Sequence, residues 1–228
     1  MIDPFAGGQR PALTFEPGDV VILCEGRDEC AVIRQLTAGW PRKPKVGTRD
    51  DSAEQSWEDE FKALGGQIAM RKPSAIGFVF DAERSKAEAK RLLRRRYAAA
   101  SLRMPRRPGK PEKSVVDRVE VWTAYFLNPP GRTQGGLESL FLPQIRKSPR
   151  WACLDALLRC YKKREPIKKS PDKVILRTFI AHSNAYNTGL AVAFHKKKGK
   201  SILTCDCSEF DPLRAFLSEL QAQAARHT

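Results

Sequence analysis

The 228-residue sequence predicts an α/β protein: a parallel sheet flanked by helices, with a mainly helical C-terminal extension. Three features carry this expectation. Two wholly apolar runs, Val20 to Cys24 and Ile76 to Phe80, have the length and continuity of strands buried on both faces of a parallel sheet. Helical periodicity follows each run. From residue 146 onward, helical spacing dominates.

In chain order, residues 1–17 are rich in Pro and Gly and read as a flexible N-terminal arm. Residues 18–145 are expected to form the α/β domain, and residues 146–228 a helical extension packed on the same core. After the first strand, the period changes at Glu29. Cys30, Val32, Ile33 and Leu36 share one broad helical face, and Gly39 with Pro41 ends that helix. A short second strand is weakly marked from Lys45 to Gly47. An acidic second helix begins within "RDDSAEQSWEDEFKALGG" and is expected to close at Gly65 and Gly66. The strand Ile76 to Phe80 leads to a third helix, Ser85 to Ala100, with Ala89, Leu93 and Tyr97 as its apolar stripe. "MPRRPGKPEKS" reads as a basic, Pro-rich loop. In "DRVEVWTAYFL", Val119, Val121, Thr123, Tyr125 and Leu127 alternate as in a half-buried or edge strand. Trp151, Leu154, Leu157, Leu158 and Tyr161 repeat at helical spacing, Ser170-Pro171 and Asp211-Pro212 are helix-start signals, and Leu213, Phe216, Leu217 and Leu220 form the buried face of the last helix.

Forty-one Lys and Arg against 26 Asp and Glu give a formal net charge of +15, which favours a polyanionic partner, DNA or RNA. The imbalance is uneven. Residues 1–60 hold 7 basic and 12 acidic residues, and the remainder 34 and 14. The basic residues cluster in "RLLRRRYAAASLRMPRRPGK" (Arg91, Arg94, Arg95, Arg96), "YKKREPIKKSPDK" (Lys162, Lys163, Lys168, Lys169) and "HKKKGK" (Lys196, Lys197, Lys198), each suited to holding a phosphate backbone. Taken singly, each cluster also reads as a solvated surface.

No signal peptide opens the chain, and no stretch approaches the roughly 20 apolar residues of a membrane span, so a cytoplasmic protein without a membrane partner is expected. The six cysteines form no CxxC pair and are expected to be thiols; Cys205 and Cys207 lack the partners of a zinc site. There is no GxxxxGK[ST] phosphate loop, so ATP hydrolysis by this chain is not expected. His182, His195 and His227 fall in no catalytic spacing.

Both apolar strands end in acids: Glu25 and Asp28 after the first, Asp81 and Glu83 after the second. In a parallel sheet all carboxyl ends share one edge, where ligands bind. Carboxylates gathered there repel one another unless a cation neutralises them. Mg²⁺, a hard ion with oxygen ligands that bridges carboxylate and phosphate, is the natural candidate. Asp28 also reads as a helix-start acid, Glu83 as a cap of the third helix, and Glu138 in "GGLESL" as either a fifth acid or a surface residue of a short helix. Arg27 reads as a phosphate contact or a partner of Asp28.

"LCEGRDECAVIRQL" and "IGFVFDAERS" resemble the two signatures of the TOPRIM superfamily, a strand ending in Glu-Gly with a following Asp and a later strand ending in Asp-x-Asp. The chain is most similar to small stand-alone TOPRIM proteins related to the OLD-type nucleases, and "TQGGLESLFL" resembles a Gly-x-Leu-Glu stretch of those proteins. Glu83 departs from the pattern, since it stands where the second aspartate is usual.

The resemblance implies a TOPRIM fold and a nuclease dependent on Mg²⁺ or Mn²⁺ that cleaves phosphodiester bonds in DNA or RNA, in phage defence or nucleic-acid processing. Asp81 and Glu83 would hold metal, Asp28 would support a second ion, Glu25 would act as general acid/base or ligand, and Glu138 would add a ligand. An ATPase, if one takes part, would be a separate subunit; a homo-oligomer is compatible. The alternative is a non-catalytic TOPRIM-like module that binds nucleic acid or a partner protein.

Overall fold

The computed structural model describes residues 14–48, 57–164, 170–183, 189–194 and 201–226. Five strands, β1 (Val20–Cys24), β2 (Lys45–Thr48), β3 (Ala75–Asp81), β4 (Glu112–Val116) and β5 (Val119–Asn128), form one sheet in the order β2-β1-β3-β5-β4. All neighbours pair in parallel except β4 with β5. The helices are α1 (Arg27–Leu36), α2 (Trp57–Arg71), α3 (Lys86–Ala99), α4 (Leu142–Arg146), α5 (Trp151–Arg164), α6 (Pro171–Ser183), the short α7 (Leu190–Ala193) and α8 (Asp211–Ala225). The chain is thus α/β, with a mostly parallel sheet flanked by helices and a helical C-terminus. Among the described residues, no helix is long and apolar enough to cross a membrane.

Side-chain alternation divides the core into two layers. Ile76, Phe78 and Phe80 of β3 point to one face, against Phe61, Leu64 and Ile68 of α2 and Leu93 and Tyr97 of α3. Ala75 and Val79 point to the other, with Ile33 of α1, Ile180 of α6 and Leu213, Phe216, Leu217 and Leu220 of α8. Leu220 and Phe216 come so close to β3 that a Cβ at Gly77 would lie 2.8 and 3.1 Å from them. The C-terminal helices therefore complete the sheet's own core. Of the expected arm, residues 1–13 lie outside the described residues; Phe15 is buried in the α2/α3 layer, and Arg71 donates to its carbonyl at 3.3 Å.

Three elements differ from the sequence expectation. β5, expected as a half-buried or edge strand, lies inside the sheet between β3 and β4 and is buried along most of its length, and the edge on that side is β4, which begins within a segment read as loop. The turn joining them is Asp117-Arg118, both with positive φ (46° and 69°), where Asn-Gly is the usual hairpin signal. The second helix does not stop at Gly65 and Gly66 but runs on to Arg71.

Gly65 is there for proximity: a Cβ would lie 2.8 Å from the Ala100 carbonyl oxygen at the end of α3. Gly65→Ala is therefore expected to destabilise the protein by about 1–3 kcal/mol through overpacking. That outweighs the gain of roughly 1 kcal/mol in helix propensity. Urea unfolding measures the difference, and a stabilised variant would contradict the close α2/α3 contact.

Candidate active site

The carboxyl ends of β1, β3 and β5 meet at one edge of the sheet. Glu25 directly follows β1, and its Oε2 accepts the backbone N–H of Asp81, the last residue of β3, at 3.2 Å. Asp81 Oδ1 accepts the N–H of Leu137 at 3.0 Å, which ties β3 to a 3-10 turn, Leu137–Leu140. Glu138 in that turn is buried, only 7% exposed, and its Oε1 lies 3.7 Å from Lys173 Nζ on α6. Gly136 provides the room between them. A Cβ there would stand 2.5 Å from Asp81 Oδ2 and 2.7 Å from Glu138 Oε2, so both carboxylates point into the space glycine leaves.

A further acid joins this group. Glu29 is 8% exposed, on the first turn of α1, and its Oε2 would be 2.9 Å from a Cβ on Gly26. Burial, followed by the charges of Asp28, Glu138 and Glu25, pushes its pKa up to about 7. Asp81 is likewise driven well above the usual carboxylate range by burial and by Glu29, Glu138 and Glu25. Glu25 is raised by burial and by Glu83; the Asp81 N–H, Arg96 and Lys173 pull the other way. Mutual field effects thus link Glu25, Glu29, Asp81 and Glu138 as one electrostatic cluster.

The remaining expected residues stand differently. Asp28 is turned toward the C-terminal helices: it pairs with Arg177 of α6 and accepts the Leu190 N–H at 3.3 Å. Glu83 is exposed, and its backbone, with φ at 48°, makes paired hydrogen bonds of 2.8 Å with Gly135. The strand ends at Asp81, so the two acids are not on one extended segment; the cap of α3 is Ser85, which accepts the Glu88 N–H at 3.5 Å. Arg27 is exposed. Arg94 and Arg95 are exposed on α3, Arg91 lies 3.7 Å from Glu88, and Arg96 stacks over Phe80 at 4.6 Å from the ring centroid. Lys162 and Lys163 lie on α5, their side chains outside the described residues, as are Lys168, Lys169, Lys196, Lys197 and Lys198 altogether.

The sequence alone does not single out Glu29, because the change of period at Glu29 makes Asp28 the helix-start acid. Its signal is present nonetheless, since Glu29, Ile33 and Leu36 share the i, i+4, i+7 stripe of α1, so an acid there faces inward.

Among the described residues, no three Asp, Glu, His or Cys side chains form a metal-ligand group as they stand. The donor chemistry nonetheless suits a hard divalent ion: carboxylate oxygens, crowded and buried, whose mutual repulsion a cation would relieve. Asn128, the register partner of Asp81 on β5, lies on the same face, fully buried, and neither its Oδ1 nor its Nδ2 has a hydrogen-bond partner. Buried polar atoms of this kind call for a water or an ion. If the cluster holds a divalent ion, Gly136→Ala, whose backbone is extended (φ −137°) and unstrained, would lower its affinity by about 10- to 100-fold by displacing the Asp81 and Glu138 oxygens. Calorimetric titration with Mn²⁺ tests this, and an unchanged affinity would put any metal elsewhere.

Fold and site define an α/β protein with a carboxylate cluster at the carboxyl edge of its parallel strands. The chain belongs to the family described as protein of unknown function (DUF3226), whose model matches residues 19–222. No curated protein and no solved structure matches it.

Proposed function

We propose that the protein is a TOPRIM-type nuclease, dependent on Mg²⁺ or Mn²⁺, that cleaves phosphodiester bonds in DNA or RNA in the cytoplasm. The observation that carries this reading is the convergence of Asp81 and Glu138 on the space above Gly136, with Glu25 hydrogen-bonded to β3 and Glu29 buried alongside. Asp81, Glu25, Glu29 and Glu138 would hold the metal, which supplies charge stabilisation at the phosphate and a more acidic bound water.

The chain's own groups do the rest. Glu25, at the cleft wall and with a pKa raised chiefly by burial, suits a general acid/base. Lys173 offsets the charge of Glu138, and the cations of α3, Arg91, Arg94, Arg95 and Arg96, attract the phosphate backbone to an edge that would otherwise repel it. Asp28, through Arg177, fixes the start of α1 against α6 and so keeps Glu29 turned inward.

The second reading, a non-catalytic nucleic-acid or protein-binding module, is favoured by one feature: Glu83 is exposed and its backbone is bridged to Gly135. Cleavage of labelled single- and double-stranded DNA and RNA in Mg²⁺, Mn²⁺ or EDTA, beside Glu25→Ala and Asp81→Ala, separates the two. Metal-dependent cutting lost in both variants supports the nuclease. Binding without cutting in every metal supports the module.

A further inference from the structure

Beside the carboxylates, on the α3 side, lies a cleft of about 290 Å³ lined by Glu25, Phe80, Asp81, Glu83, Leu92 and Arg96, among others. Its volume is at the small end of ligand sites, which run from roughly 300 to 1,000 Å³. One nucleotide unit is of that scale; a duplex is not.

The walls differ in chemistry. One is the acidic strand edge. The other is a single face of α3, where Ala89, Leu92, Leu93 and Arg96 follow one another at i, i+3, i+4 and i+7. Leu92 is 42% exposed, one of few large apolar side chains left open among the described residues, and it sits on a helix whose other exposed positions are Ala87, Glu88, Arg91, Arg94, Arg95 and Ala98. Arg96 lays its guanidinium over the Phe80 ring, so a flat cation is held within the helix wall. Arg84 stands at the same cleft.

With the scissile phosphate placed at the strand-edge carboxylates, where the metal would offset their charge, the α3 side of the cleft is left to the rest of the same nucleotide. A nucleobase suits it, since it is flat and uncharged, and it gains from an aliphatic or guanidinium surface on one side and hydrogen-bond acceptors on the other. A paired base offers no free face of this kind.

Resting on the nuclease reading for the adjacent carboxylates, we infer that this cleft takes one unpaired nucleobase next to the scissile phosphate. Leu92 and Arg96 bear on the base, and the substrate is a single strand or an unpaired end. The unpaired base is common to DNA and RNA.

The test uses the full chain in EDTA, so that binding is read without cleavage. Fluorescence anisotropy is measured with labelled single-stranded DNA, single-stranded RNA and a blunt DNA duplex, for wild type, Leu92→Ala and Leu92→Asp. Leu92 is a surface position, and thermal unfolding checks that both variants fold. Wild type is expected to bind at least one of the single strands about tenfold more tightly than the duplex. Leu92→Ala should lose part of that preference and Leu92→Asp all of it, with duplex binding unchanged in Leu92→Ala. A 2-aminopurine placed in the preferred strand should change its emission on binding to wild type and not to Leu92→Asp.

Equal affinity for strand and duplex, or a preference that survives Leu92→Asp, overturns the cleft assignment even if wild type cuts nucleic acid in Mg²⁺. A strand preference lost in Leu92→Asp, in a protein that cuts nothing in any metal, supports the cleft assignment and removes the nuclease reading instead.

Discussion

Asp81→Asn is expected to abolish metal-dependent cleavage, a loss of about a thousand-fold or more, and at the same time to make the metal-free protein more stable. Both effects follow from one side chain. Asp81 is crowded by Glu25, Glu29 and Glu138, and burial with those charges raises its pKa well above that of a free aspartate. Asparagine keeps the shape and the acceptor oxygen that receives the Leu137 N–H, but removes the charge. Losing a charged ligand weakens both metal binding and stabilisation of charge at the phosphate, hence the size of the catalytic effect. Removing one of several repelling carboxylates raises the midpoint of unfolding in EDTA, by roughly 2–4 °C for each kcal/mol relieved. Differential scanning calorimetry and a cleavage time course check the pair. A variant that is both inactive and less stable would mean that Asp81 serves the fold rather than a metal.

Without metal, stability is expected to fall as pH rises from about 4.5 to about 7, the window set by Glu29. A carboxyl group whose pKa is raised on folding keeps its proton in the folded state at a pH where the unfolded chain has released it. The folded state therefore binds more protons, and rising pH favours unfolding until both states are ionised. Each pKa unit corresponds to about 1.4 kcal/mol, so Glu29 alone accounts for a difference on the order of 3 kcal/mol. Glu25 and Asp81 are shifted in the same direction and add to it. Mg²⁺ held as proposed would favour the ionised cluster, so the stabilisation it provides should grow with pH and flatten the profile. Urea titrations at pH 5 and pH 8, in EDTA and in Mg²⁺, measure the slope. Glu29→Gln should remove much of it; stability that rises with pH in EDTA would contradict the buried cluster.

The site was legible in the sequence where strands announce themselves. The apolar runs ending at Cys24 and Phe80 placed Glu25 and Asp81 at one sheet edge, and a parallel sheet leaves little freedom in that. What was hidden depends on contacts between segments distant in sequence. Asp28 and Glu29 are adjacent, and only the packing of α1 against α6 and α7 decides that Arg177 takes the first while the second turns inward. Glu138 reads as either a fifth acid of the site or a surface residue of a short helix; it is buried, where Gly136 lets the 3-10 turn close on Asp81. Strand β4 was obscured because "KPEKSVV" is half charged, as an edge strand often is, and because Asp117-Arg118 is an unusual hairpin turn. Gly65 reads as a stop signal when only the helix is considered; its reason lies across the interface, at the Ala100 carbonyl.

The proposed activity requires that the carboxylates at the strand ends form a divalent-metal site. Isothermal titration of the full chain with Mn²⁺ at pH 7.5, beside Asp81→Asn and Glu25→Gln, tests it most directly. Saturable binding of at least one ion per chain is expected in wild type, weakened about tenfold or more in each variant. Binding of equal strength in all three proteins, or none in wild type, would contradict it.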